Sequence, residues 1–205
     1  MTSSGQELEV KFYVPDVVRI ESRLQSLGAQ LMQPRVHEIN LRFDTPEGEL
    51  ANSYRVLRLR QDTKARVTYK GPGWVQDGVR ARQELEFTVG DFETAKALFE
   101  ALGYVVVVMY EKYRTTYDIG ELHITFDEMP YGNFVEIEGP NGPSIQAVAE
   151  RLGLEWEARS LDSYIAIFER ARLKLGFTFR DLSFENFARV TFSAETLGVR
   201  PAITH

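Results

Sequence analysis

Strand after strand of this chain alternates apolar and charged side chains, and the charged positions come in blocks of one sign. Successive side chains of a β-strand point to opposite faces, so the two sets can be read off directly. Over 6–13, Leu8 and Val10 fall on one face and Glu7, Glu9 and Lys11 on the other. Over 54–61 and 65–70, Leu57, Leu59, Val67 and Tyr69 oppose Arg58, Arg60, Arg66, Thr68 and Lys70. Over 80–89, Leu85 and Phe87 oppose Arg80, Arg82, Glu84 and Glu86. A strand over 106–118 carries Lys112 and Arg114, one over 121–127 sets Leu122, Ile124 and Phe126 against His123, Thr125 and Asp127, and one over 133–138 sets Val135 and Ile137 against Phe134, Glu136 and Glu138. A further strand is expected over 36–43.

A sheet with one wet face accounts for the alternation but not for the sorting by sign. Two carboxylates at i and i+2 on one face repel each other unless a cation lies between them, and a divalent metal with oxygen ligands is the usual answer. Clustered Arg and Lys call for polyanion oxygens, which Arg grips in bidentate fashion. Closing the sheet into a barrel would turn both sets onto one cavity, whose natural guest is a metal-bound polyphosphate. The charge distribution fits a compact anionic ligand: Arg55–Arg82 holds eight basic and two acidic residues inside a chain of net charge −6. The acidic remainder argues against general nucleic-acid binding.

The helices are legible by period and punctuation. Apolar stripes near period 3.6 follow Pro15 (Val17, Ile20, Leu24, Leu27), Asp91 (Phe92, Ala95, Leu98, Phe99, Leu102) and Ser144 (Ile145, Val148, Ala149, Leu152), each ending at a glycine. A fourth is expected from Ser160, with Leu161, Tyr164, Ile165, Phe168 and Leu175 on one side and Gly176 as its stop. Pro46-Glu47-Gly48, Gly71-Pro72-Gly73 and Asp118-Ile119-Gly120 read as turns. Glu-x-Glu strands leading into helices that end in Leu-Gly recur three times, at Glu7, Glu84 and Glu136. The expected class is therefore α+β, a mostly antiparallel sheet with flanking helices. Phe177, Phe179, Phe184 and Phe187 are expected to dock a C-terminal extension (176–205) onto the outside of the sheet, with a lid or a dimer contact as the alternative, and 191–205 is expected to be loose.

Other chemistry is excluded by composition. The absence of cysteine removes disulfides, thiolate zinc sites, iron–sulfur clusters and cysteine nucleophiles, and three scattered histidines do not make a metal site. The apolar run Val105–Met109 is far shorter than the roughly 20 residues of a membrane span, so a cytoplasmic protein without membrane contact is expected.

Glu7-x-Glu9-x-Lys11 resembles the Glu-x-Glu-x-Lys signature of the CYTH family, the triphosphate tunnel metalloenzymes that include class IV adenylyl cyclases and thiamine triphosphatases. The resemblance continues in order through Asn40–Thr45, Val56–Arg60, Thr68–Lys70, Arg82–Glu86, Lys112–Arg114, Asp127, Gly132–Glu138 and Ser163-Tyr164, over about residues 6–170 of an expected domain at 1–175. Arg42 departs from it, adding a cation at the tunnel entrance where many relatives have tyrosine. The resemblance implies an eight-stranded antiparallel β-tunnel. It further implies that Lys11, Arg58, Arg60, Lys70, Arg82, Lys112 and Arg114 bind phosphate, with Glu7, Glu9, Lys11, Arg58, Arg60 and Lys70 central to catalysis. Mg²⁺ or Mn²⁺ would be held by Glu7, Glu9, Asp127, Glu136 and Glu138, with Glu84 and Glu86 as further candidates. The expected activity is metal-dependent hydrolysis of inorganic triphosphate or a small organic triphosphate such as thiamine triphosphate or a nucleotide. The alternatives are an adenylyl cyclase releasing cyclic AMP and pyrophosphate, and a non-catalytic polyphosphate-binding module. The expected partner is a small-molecule triphosphate, and a homodimer is compatible with the sequence.

Overall fold

A computed structural model describes residues 5–203 of the chain. In chain order its elements are β1 (Gln6–Tyr13), α1 (Val17–Ser26), β2 (Gln30–Asp44), α2 (Glu49–Asn52), β3 (Val56–Gln61), β4 (Ala65–Gln76), β5 (Val79–Val89), α3 (Phe92–Ala101), β6 (Val105–Ile119), β7 (Leu122–Met129), β8 (Gly132–Glu138), α4 (Gly142–Leu152), β9 (Arg159–Ser160), α5 (Tyr164–Leu175), α6 (Phe184–Phe187) and α7 (Ala194–Leu197). Eight antiparallel strands close into a barrel in the order β1-β5-β4-β3-β2-β6-β7-β8, with β8 returning to β1. β1 is bonded along one edge to β8. Its other edge is divided, with Gln6–Glu9 pairing to β5 and Lys11 and Phe12 to the two residues of β9.

The strands turn their apolar faces outward, beneath the helices. Val10, Phe12, Ile124 and Ile137 meet Ile20 and Leu24 of α1 and Ile145, Val148 and Leu152 of α4, all essentially excluded from solvent. Phe43, Leu59 and Val67 meet Ala95, Phe92 and Phe99 of α3. Burial of such side chains, about 1.5–3 kcal/mol each, holds the barrel from outside and leaves its interior free for charge. Leu85 and Phe87, expected in the core, are 52% and 60% exposed, because no helix covers that part of β5.

Asp16, Asp91 and Asn141 cap α1, α3 and α4 with side-chain oxygens, so the caps lie at Asp16 and Asn141 rather than at Pro15 and Ser144. α5 begins at Tyr164, where the Ser163 hydroxyl accepts from the Ala166 N–H, so Leu161 precedes the helix. Gly71-Pro72-Gly73 is not a turn: β4 runs through it with a register break between Lys70 and Gly73. The β4–β5 reversal falls at Asp77-Gly78, whose φ values of 50° and 77° suit a two-residue hairpin.

The C-terminal segment packs behind the barrel. Phe177, Phe179, Phe187 and Phe192 cluster with Tyr131, Phe134 and Phe168, and Leu182 makes a bridge to Tyr110 of β6. The expectation of a loose stretch from Thr191 does not hold to residue 203: Leu197 and Ala202 are fully buried, and Pro201 bridges to Tyr13. His205 lies outside the described residues. No helix among the described residues is long and apolar enough to cross a membrane.

Candidate active site

Alternation along the eight strands delivers the charged faces into a cavity of about 710 Å³ inside the barrel. Its acidic wall starts on β1. Register places Glu7 beside Arg82, Glu9 beside Glu138 and Lys11 beside Glu136, with Thr125 beside Glu136 on the far edge. Carboxylate oxygens of Glu7, Glu9 and Glu136 come within 4.8 Å of one another, the one group of such residues among those described. Cations hold the trio together. Arg82 donates through Nε to Glu7 Oε2 at 2.8 Å and through Nη2 to Glu9 Oε1 at 2.9 Å. Lys70 Nζ lies 2.8 Å from Glu7 Oε2 and from Glu84 Oε2, and Lys11 Nζ lies 3.0 Å from Glu9 Oε2 and 3.3 Å from Glu136 Oε1.

The rest of the wall is predominantly basic. Arg60 grips Glu86 with Nη2 at 2.9 and 3.0 Å, and Arg58 donates to Thr68 at 3.1 Å, to the Tyr110 hydroxyl at 3.3 Å and to Glu86 at 3.5 Å. Arg114 forms a fork onto Asp127, both bonds 2.6 Å, and also reaches Glu136 at 3.2 Å. Lys112 lies 3.0 Å from Asp127 and 3.5 Å from Glu38. Tyr164, the first residue of α5, donates to Asp127 Oδ2 at 2.6 Å, and both Lys11 and Lys112 sit over its ring. Tyr110, Tyr164 and Ile165 belong both to the cavity wall and to the aromatic cluster behind it, so the C-terminal segment supports the cavity directly.

The charges are out of water, which is what perturbs them. Burial and Glu9 act to raise the Glu7 carboxyl, yet Lys70 and Arg82 outweigh them and hold it at about 2. Burial likewise opposes ionisation of Glu136, which Lys11 and Arg114 keep below the ordinary carboxylate range. Glu138 goes the other way: burial, reinforced by Glu7, Glu136 and Glu84, pushes it up to about 8. Burial lifts Glu84 to about 7, although Lys70 opposes the rise. Two adjacent populations of carboxyls therefore exist, one fixed as anions and one that titrates near neutrality.

Every residue singled out in the sequence is brought to the barrel interior or its wall, with different partners. Glu7, Glu9, Lys11, Arg58, Arg60, Lys70, Arg82, Glu84, Glu86, Lys112, Arg114, Glu136 and Glu138 line the cavity. Asp127 is 1% exposed and lies behind it, with both oxygens committed to Arg114 and one shared with Lys112 and Tyr164, so the geometry does not bring it to the trio. Glu86 is occupied by Arg58, Arg60 and Thr68. Unforeseen was Glu38, fully buried, which joins Lys112 and Arg60 and whose pKa Lys112 and Arg114 pull down against strong desolvation. Asn40 beside it donates to Glu38 Oε1 at 2.9 Å.

The CYTH domain model matches residues 5–155. The chain belongs to the CYTH family. Among its CYTH relatives is adenylate cyclase CyaB of Aeromonas hydrophila, 26% identical over 175 residues that cover 80% of this chain and 90% of that one. The solved PH1012 protein of Pyrococcus horikoshii is 30% identical, covers 77% of this chain and 96% of its own, and superposes with a TM-score of 0.65. HpAC1 of Hippeastrum, whose structure is reported with a dominant triphosphatase activity, gives a TM-score of 0.60 at 20% identity, over 80% of this chain and 95% of that one, which is a likeness of fold.

Proposed function

We propose that this CYTH protein is a divalent-metal-dependent triphosphatase that releases orthophosphate from inorganic triphosphate or a small organic triphosphate. The observation that carries the reading is the Glu7–Glu9–Glu136 trio set into a closed wall of lysines and arginines. Its donor set is all oxygen, which suits Mg²⁺ or Mn²⁺, and its three carboxylates lie close enough together for one oxygen of each to reach a single ion. Glu7, Glu9 and Glu136 would hold that ion, joined by Glu138 once its proton is lost. The ion supplies charge neutralisation at phosphate oxygens and a more acidic bound water.

The chain's own residues do the positioning. Lys11, Arg58, Arg60, Lys70, Arg82, Lys112 and Arg114 donate to phosphate oxygens as counter-ions, and among largely buried side chains each such contact is stronger than at a surface. Phosphoryl transfer needs placement and electrostatics more than a covalent intermediate, which fits a wall that has no cysteine and whose Ser163 and His123 are engaged in capping α5 and in pairing with Asp118. The fixed anions at Glu7 and Glu136 repel a stray phosphate and favour one that arrives with its metal.

The relative named adenylate cyclase CyaB favours a second reading, in which a ribose hydroxyl takes the place of water and pyrophosphate leaves. The HpAC1 structure, reported with a dominant triphosphatase activity, favours the first. Incubation with Mg²⁺ or Mn²⁺ and, separately, tripolyphosphate, thiamine triphosphate and ATP decides between them. Orthophosphate is the expected product; cyclic AMP with pyrophosphate would establish the cyclase, and tight binding without turnover would reduce the protein to a binding module.

A further inference from the structure

Every lysine and arginine lining the cavity has a carboxylate within 4 Å among the described residues, with the exception of Arg42. Arg42 is half-buried on β2, with no hydrogen bond or ion pair to any described residue. The nearby carboxylate of Asp44 is already engaged, accepting from the backbone N–H groups of Thr45, Leu50 and Ala51. Burial drives the Arg42 pKa down, Tyr110 opposes this, and the like charges of Arg58 and Arg82 add to the fall. A guanidinium stays charged in any protein environment, so this one is a cation kept without a counter-ion against repulsion from two others.

Its place in the ring indicates what would relieve it. β2 stands four strands from β1 in both directions around the barrel, so Arg42 lines the wall opposite the strand that carries Glu7 and Glu9. It is laterally paired with Arg58, which is laterally paired with Thr68, giving a cross-strand row away from the trio. For the other cations, a phosphate oxygen displaces or joins a carboxylate already present. For Arg42 it supplies the first counter-ion, so the gain is larger.

Building on the phosphate reading of the cavity, we propose that Arg42 grips the phosphate of a triphosphoryl chain farthest from the Glu7–Glu9–Glu136 trio, and so selects for three phosphates over two. In that case a pyrophosphate anchored at the trio falls short of Arg42 and leaves it unpaired. The chain can be free or esterified.

The test compares the wild type with Arg42→Gln and Arg42→Lys in calorimetric titrations with tripolyphosphate, pyrophosphate and ATP, with Ca²⁺ in place of Mg²⁺ to slow turnover. Arg42→Gln is expected to weaken tripolyphosphate about 10- to 100-fold and pyrophosphate less than about threefold, with Arg42→Lys in between. Loss with ATP as well means that either form of the chain is read, and loss with tripolyphosphate alone means that Arg42 meets a terminal phosphate; both support the proposal. An equal loss for tripolyphosphate and pyrophosphate, no loss, or loss with ATP alone overturns it. Should tripolyphosphate bind the wild type and Arg42→Gln equally well, the proposal fails while the phosphate reading stands; should it not bind the wild type at all, both fail. The melting temperature of ligand-free Arg42→Gln is expected to match or exceed that of the wild type, since an unpaired charge is removed, and a clear fall would assign Arg42 a structural role and overturn the proposal.

Discussion

Tyr164 donates its hydroxyl hydrogen to Asp127 at 2.6 Å, and both residues are buried. Asp127 in turn holds Arg114, and Arg114 touches Glu136 of the acidic trio, which the Tyr164 hydroxyl also approaches at 3.3 Å, so the first turn of α5 is coupled to the candidate metal site both directly and through a relay of three bonds. Tyr164→Phe keeps the ring under Lys11 and Lys112 and deletes only the donor. It should lower stability by about 1.5–3 kcal/mol, the range for a hydrogen bond to a charged group. The metal concentration giving half-maximal activity should rise. Denaturation midpoints and a metal titration of the rate check the two parts, and an unchanged metal requirement would confine Tyr164 to a structural role.

Glu9→Gln conserves volume and removes one charged ligand candidate. The metal required for half-maximal turnover should rise by at least about tenfold, the lower end of what loss of an orienting partner of a ligand costs. Excess chelator should abolish turnover of the wild type, and persistent activity in chelator would dispose of metal assistance.

Glu138 and Glu84 make metal-free stability depend on pH in an unusual direction. Their folded pKa values, about 8 and about 7, lie above the ordinary 4.5, so between these limits the folded state keeps protons that the unfolded state has released. Stability should then decline as pH rises from about 5 to about 8. Glu7, held at about 2, acts at the acid end, and its contribution is lost as pH falls below 4.5. Urea midpoints in chelator at pH 5.5, 6.5, 7.5 and 8.5 should show the decline, and Glu138→Gln should flatten it; an identical slope in the variant would acquit Glu138.

Arg58→Gln combined with Arg60→Gln tests whether these side chains serve the ligand. Triphosphate affinity should fall by orders of magnitude, because charge-assisted contacts are lost on the row beside Glu86. Lys96 of α3 and the exposed Arg151 of α4 provide the control pair, since surface charges contribute only about 0–1 kcal/mol. Equal affinity in the two double variants would remove Arg58 and Arg60 from the binding wall.

Phe187→Ala, at a ring 4% exposed in contact with Tyr131 and Phe168, should cost about 3–5 kcal/mol if the C-terminal segment is integral to the domain. A loss below about 1 kcal/mol, measured by urea denaturation, would mean that the segment is a detachable appendage.

The inward face of β1 was legible because Glu7, Leu8, Glu9, Val10 and Lys11 alternate without a break, and the same holds for Arg58-Leu59-Arg60 and Glu136-Ile137-Glu138. Glu38 and Asn40 obey the same rule, and extending the alternation of 36–43 would have placed both beside Arg42. Partners were not legible. That Asp127 answers to Arg114 and Lys112 rather than to the trio depends on cross-strand register and on the insertion of Tyr164 from α5. The first third of β2 escaped notice because Gln30–Arg35 is mostly exposed and irregular, with Pro34 in a stretch where the register slips. α2 is four residues long, too short for any period to show.

The divided edge of β1 has a kinetic consequence. Glu7 and Glu9 meet Arg82 across 75 and 73 positions of chain, and Glu9 and Glu138 become neighbours only when the first strand joins the last of the ring. Such long-range pairings form late, after the local hairpins β3–β4, β4–β5, β6–β7 and β7–β8. Until the ring shuts, no partly folded form owns the acidic trio, so a metal–triphosphate complex of the proposed kind would have nothing to recognise on the way to the native state. Such a ligand would act as a latch on the finished barrel, slowing its reopening without hastening its assembly.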